Sequence, residues 1–177
     1  MISSDQTAYI KNRFIGTYVR MIYDIFELAE NGLLSGALLF LDFEKAFDSV
    51  EWNFIYQVLE KFGFGENYIR WIQILYKNPE FMIKNNGWIS ATCKMSRGIR
   101  QGCPISALLF ILVVEMMSID IKQNENITGL TIGDTEIKIS QYADDTTICV
   151  ANKDSVVKSI ECIKRFESTA GPKLNIL

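Results

Sequence analysis

Apolar residues recur at helical spacing over residues 8–30, where Ile15, Tyr18, Val19, Ile22, Ile25, Phe26 and Ala29 share a face and Asn31-Gly32 supplies a stop. Ala37 to Phe43 is short, apolar and bounded by Gly36, the pattern of a buried strand. Asp48 with Glu51 three residues later predicts a capping box. The helix it opens carries Trp52, Ile55, Tyr56 and Leu59 and ends at Gly63. A second helix, over 66–77, presents Ile69, Ile72, Leu75 and Tyr76 and stops before Pro79.

Phe81 to Lys84 and Trp88 to Cys93 flank Asn85-Asn86-Gly87 and predict a β-hairpin. Trp88 reads there as a core aromatic. A long helix over 105–122 is entered through Gly102-Cys103-Pro104. Leu130 to Ile132 and Glu136 to Tyr142, joined by Gly133-Asp134, predict a second hairpin, and the β-branched run Thr146 to Val150 another strand. Asp154 or Ser155 caps a last helix running to Ser168, closed by Gly171-Pro172. This order lacks strict βαβ alternation. It predicts an α+β fold, a small antiparallel sheet backed by helices, in one continuous domain.

Composition narrows the chemistry. The 177 residues are 49% hydrophobic and 22% charged, a globular balance, with a net charge of −3 that argues against holding nucleic acid by bulk positive charge alone. The absence of histidine excludes histidine metal sites, Ser–His–Asp triads and histidine bases. The four cysteines have no CxxC spacing and read as reduced thiols. The longest apolar run, Ala107 to Val114, falls short of the roughly 20 residues a bilayer span needs, and the N-terminus lacks a hydrophobic signal core. The reading is a soluble, intracellular protein with no membrane contact.

Two places set carboxylates against an apolar strand: Asp42 after Leu38 to Leu41, and Asp144-Asp145 between two β-forming segments. Asp42 alone reads as a strand-end turn. Adjacent aspartates repel each other, and the nearest bases in sequence are Lys138 and Lys153. A bound divalent cation resolves that repulsion. Hard oxygen ligands suit magnesium, with manganese as an alternative. If the strands carrying Asp42 and Asp144 are neighbours, three carboxylates converge as two-metal phosphoryl transfer requires.

These residues resemble a known family. Phe40-Leu41-Asp42-Phe43-Glu44-Lys45-Ala46-Phe47-Asp48-Ser49-Val50 is similar to the first palm motif of the reverse transcriptases of non-LTR (LINE-type) retrotransposons. Gly98 to Phe110 resembles their second motif and Tyr142-Ala143-Asp144-Asp145 their catalytic turn. Asp5-Gln6-Thr7-Ala8-Tyr9-Ile10-Lys11 resembles a fingers motif, and Gly171 to Asn175 the start of a fourth palm motif.

The resemblance implies a polymerase palm (about 36–63 and 98–177) with part of the fingers (about 1–35 and 64–97). It implies that Asp42, Asp144 and Asp145 bind metal and carry catalysis. By the same resemblance, Phe47 is expected to stack under the incoming sugar and exclude a 2′-hydroxyl, and Gln101 with Gly102 to lie along the nucleotide and template base. Lys11 and Arg13 are expected to reach toward triphosphate or template, with Lys173 as a candidate proton donor to pyrophosphate. The implied partners are an RNA or DNA template with primer and deoxynucleoside triphosphates (dNTPs). The thumb and endonuclease of a longer polyprotein are expected to lie outside this chain, leaving it little primer extension of its own. The nucleus is the expected compartment.

Charge is consistent with this. Residues 24–51 carry seven acids and one base and residues 115–145 seven acids and two bases, while 77–100 carries five bases and one acid. A basic hairpin region thus lies between two acidic segments that each hold part of the proposed site. Ala107 stands where the family often has proline, and Pro172 after Gly171 is unusual. The alternatives are a group II intron-type reverse transcriptase and a catalytically silent retrotransposon remnant. Lys45-Ala46-Phe47-Asp48 fits the retrotransposon group better.

Overall fold

The structure is a computed structural model that describes residues 2–176. Helix α1 spans Ile15–Glu30 and leads into strand β1, Ala37–Glu44. Helices α2 (Ala46–Ser49), α3 (Trp52–Lys61) and α4 (Glu66–Leu75) follow. The predicted hairpin forms as two short ladders, β2 (Glu80–Phe81) with β5 (Cys93–Lys94) and β3 (Lys84–Asn85) with β4 (Trp88–Ile89). Helix α5 covers Ser106–Gln123. Strands β6 (Leu130–Ile132), β7 (Thr135–Ile137), β8 (Ile139–Tyr142) and β9 (Asp145–Val150) precede helix α6 (Lys153–Ala170) and strand β10 (Lys173–Ile176).

The main sheet has the order β10-β1-β9-β8, with every neighbouring pair antiparallel. Its two faces are covered differently. Leu41, Phe43, Ile148 and Val150 belong to the main core, which α3, α5 and α6 complete. Helix α5 is buried nearly all round, from Leu109 through Val114 and on to Met117 and Ile121, as its unbroken apolar sequence requires. On the opposite face, Leu38 and Cys149 pack with Ile25 of α1, and Tyr18 of α1 hydrogen-bonds Thr147 at 2.8 Å. No helix among the described residues is long and apolar enough to cross a membrane.

Several local expectations are corrected. Residues 8–14 are irregular because Tyr9 and Asn12 take left-handed backbone (φ 55° and 66°), so the first helix begins at Ile15. The Asp48–Glu51 capping box does not form. Asp48 lies inside the single turn of α2, and Glu51, at the N-cap of α3, makes no capping hydrogen bond. The strand predicted over 136–142 breaks at Lys138, whose ammonium donates to the carbonyls of Lys122 and Asn124 at the end of α5. Asn152, and neither Asp154 nor Ser155, caps α6, accepting from Ser155 N–H at 2.8 Å. Trp88 is 66% exposed, outside the core.

Candidate active site

The alternation of β1 explains where the acidic residues stand. Its even positions, Leu38, Phe40, Asp42 and Glu44, share the face that α1 covers. Across β9 these meet Cys149 and then Thr147. Continuing that register one residue past the Leu41–Thr146 pair sets Asp42 beside Asp145. The face passes from apolar to acidic there, and Asp42, Asp144 and Asp145 are all exposed. On the other side of Asp42, Asn175 of β10 is its partner, and Lys173 is opposite Glu44.

Asp144 belongs to the two-residue turn of the β8–β9 hairpin, in which Tyr142 pairs with Asp145. Ala143 has φ 55°, and it alone of the two loop residues takes positive φ, the signature of a type II′ turn. Such a position favours glycine, and an alanine there is strained. The Ala143 N–H donates at 2.9 Å to the side-chain oxygen of Gln6, which is fully buried. Gln6 also bridges to Gln141 of β8, beside hydrogen bonds from Thr7 N–H to Gln141 O and from Gln141 N–H to Asp5 O, both 2.9 Å. The sequence alone gives Gln6 no role beyond its place in the Asp5–Lys11 segment. Nothing local to it signals a partner 137 residues away.

The electrostatics of the turn are unbalanced. Partial burial, then repulsion from Asp144 and then from Asp42, holds the Asp145 carboxyl above the usual carboxylate range. None of the ion pairs among the described residues includes Asp42, Asp144 or Asp145. Among the described residues, no three Asp, Glu or Cys side chains are grouped so as to hold a metal ion. The donor set still fits a hard divalent cation. Magnesium takes one or two protein carboxylates and completes its shell with water and phosphate oxygens, so an open, repelling pair with no basic partner suits it.

The other predicted residues divide into two groups. Phe47 on α2 is half-buried, its ring stacked on Phe110 of α5 at 4.5 Å and 20°. The segment carrying Gln101 and Gly102 docks on the turn after Phe47 through Ile99 N–H to Phe47 O (2.6 Å) and Gly98 N–H to Val50 O (2.8 Å). Gln101 then donates to Asp48 at 3.4 Å. Both Gln101 and Gly102 are exposed. Arg13 instead spends its guanidinium on backbone carbonyls of Ile2, Ser3 and Gln6, bracing the N-terminal segment. Lys11 is exposed in the irregular stretch before α1, and Lys173 is exposed on β10, a regular strand despite Pro172 before it.

Comparison with known proteins bears on the whole chain. Residues 2–176 match the family model described as reverse transcriptase (RNA-dependent DNA polymerase). The chain is 29% identical over 177 residues to the Transposon TX1 uncharacterized 149 kDa protein of Xenopus laevis, covering 99% of this chain and 13% of that protein. It is 27% identical over 135 residues to the retrovirus-related Pol polyprotein from type-2 retrotransposable element R2DM of Drosophila melanogaster, covering 76% and 12%. The chain thus spans about an eighth of the length of these curated relatives.

Among solved structures, apo telomerase from Candida tropicalis truncated from its C-terminal domain superposes with a TM-score of 0.58 at 14% identity, over 97% of this chain and 36% of that one. Telomerase of the same organism in complex with a TWJ fragment of telomeric RNA gives 0.57 at 12%, over 97% and 30%. At these identities the likeness is one of fold, and it agrees with the α+β architecture read from sequence. Matched over residues 2–176, the chain belongs to the reverse transcriptase family.

Proposed function

We propose that this chain carries the palm and part of the fingers of an RNA-directed DNA polymerase related to those of non-LTR retrotransposons. The observation that carries the reading is the β1–β9 register, which continued by one residue brings Asp42 beside Asp145, with Asp144 in the adjoining turn and all three exposed. Reverse transcriptases generally use divalent metal ions. We assign the three carboxylates as the ligands and magnesium as the ion, with manganese as an alternative. Bound there, the ions would lower the pKa of a primer 3′-hydroxyl and neutralise charge on the leaving pyrophosphate.

The chain's own residues position the substrates. Phe47, backed by Phe110, offers a flat apolar surface to the sugar of a dNTP. Gln101 and Gly102 border it, held by the backbone bonds to Phe47 and Val50. Lys173 stands on the strand beside Asp42, where it favours a departing phosphate. Lys11 reaches the triphosphate or template from the fingers. Arg13, braced on carbonyls, acts there only after leaving them. A template–primer duplex is the partner, and other domains of a polyprotein would supply its grip.

The test is magnesium-dependent primer extension on an RNA template by the full-length protein containing this chain. Asp144→Ala should lower the rate about a thousandfold, the scale of losing several kcal/mol of transition-state stabilisation. Undiminished extension by that variant overturns the reading.

A further inference from the structure

We propose that Gln6 is a positioning residue of the catalytic turn: its buried side-chain oxygen holds the Ala143 N–H and so sets the directions in which Asp144 and Asp145 present their carboxylates. This rests on reading those carboxylates as metal ligands.

Three observations carry it. First, the Gln6 oxygen accepts two backbone N–H groups, from Ala8 at 3.0 Å and Ala143 at 2.9 Å. Only an oxygen can serve two N–H donors, so chemistry fixes the orientation of this amide. Second, the turn needs a restraint. Ala143 holds positive φ without the freedom of glycine, and two adjacent aspartates of like charge follow it. A turn left to itself relaxes both, rotating the carboxylates away from Asp42.

Third, Gln6 is a poor residue for stability alone. It is fully buried, and its amide nitrogen has no partner among the described residues. A buried unmade donor destabilises the fold, which an apolar side chain of equal size would avoid. The N-terminal segment is arranged around this contact. Asp5 and Thr7 hydrogen-bond the backbone of Gln141, and Arg13 grips the carbonyl of Gln6 itself. Gln6 is thus delivered to the turn by main-chain bonds on both sides and by a guanidinium.

The experiment compares the chain with Gln6→Met, Ala143→Gly and the double variant. Methionine keeps the length and volume and removes the acceptor. Glycine removes the cost of positive φ. Deuterium exchange of the 141–146 segment reads the contact, Mn2+ binding by electron paramagnetic resonance reads the carboxylates, and urea unfolding reads overall stability. Gln6→Met is expected to speed exchange at Ala143 at least tenfold and to weaken Mn2+ binding about tenfold. Adding Ala143→Gly is expected to restore Mn2+ binding to within about threefold while exchange stays fast.

Unchanged exchange in Gln6→Met overturns the proposal. So does a loss of Mn2+ binding that only follows global unfolding and that Ala143→Gly leaves unrepaired. If Gln6→Met does not fold, Gln6→Asn, one methylene too short to reach Ala143, gives the same comparison. Mn2+ binding equal in the wild type and Asp145→Asn would refute the metal reading, and exchange at Ala143 would still decide whether Gln6 holds the turn.

Discussion

Phe47 and Phe110 stack at 4.5 Å, so the residue assigned to the incoming sugar is fixed by the most buried helix of the core. Phe47→Ala should therefore do two things at once. It removes a half-buried stacked ring, which should cost about 2 kcal/mol in urea unfolding. On the proposed function, it should also raise incorporation of ribonucleotides over deoxyribonucleotides by the full-length protein. A stability loss with unchanged sugar preference would leave Phe47 a core residue only.

Asp145 gives a pH signature. Burial and its acidic neighbours raise its pKa in the folded state, so the native chain binds that proton more readily than the unfolded chain. The ionised form then destabilises the fold at neutral pH, and the penalty fades as pH falls through the raised value toward the ordinary carboxylate pKa. Asp145→Asn should raise the melting temperature at pH 7, and the gain should shrink on acidification. An equal gain at pH 7 and pH 4 would contradict this account.

Divalent cations should act on the same repulsion. Magnesium at ten times its dissociation constant stabilises a folded protein by about 1.4 kcal/mol. For a chain of this size that is a shift of about 3–5 °C. The shift should appear in wild type and largely vanish in Asp42→Asn and Asp145→Asn, as calorimetry with and without magnesium would read.

Gly98 controls how the Gln101 segment docks. Its φ is 96°, and a Cβ there would fall 2.7 Å from the carbonyl oxygen of Asp48. Gly98→Ala should cost about 2 kcal/mol or more through strain and displacement of backbone. Gly87, at φ 81° in the exposed hairpin, has open space around it, so Gly87→Ala should cost nearer 1 kcal/mol. Denaturant midpoints of the two variants test the contrast.

The cysteines should differ sharply in reactivity. Cys149 is fully buried on β9 and its thiol is pushed up to about 12 by desolvation, whereas Cys93 is exposed in the hairpin. Iodoacetamide at pH 8 should alkylate Cys93 in the native chain and reach Cys149 only on unfolding. Mass spectrometry of the labelled peptides reads the order.

Element type was legible wherever one strong period ran uninterrupted. The buried helix of 106–123 and the apolar strand of 37–44 match their readings within a residue or two. At two of the failures a polar side chain has a partner outside the local pattern. Asp48 has the spacing of a cap, yet in the fold it meets Gln101. Residues 8–14 continue a helical pattern, yet Arg13 is drawn to carbonyls of residues 2, 3 and 6. The aspartates were legible because like charge beside an apolar strand is locally unexplained. Gln6 was not, because a single glutamine breaks no local rule.

The antiparallel pairing of β1 with β9 has a kinetic meaning. Asp42 meets Asp145 only after a loop of about a hundred residues closes, a step whose entropy must be met before the contact rewards it. Gln6 reaches Ala143 across a longer span still. During synthesis the first part of the site leaves the ribosome long before its counterpart exists. Asp42 therefore cannot meet its counterpart on β9 until nearly the whole chain has been made.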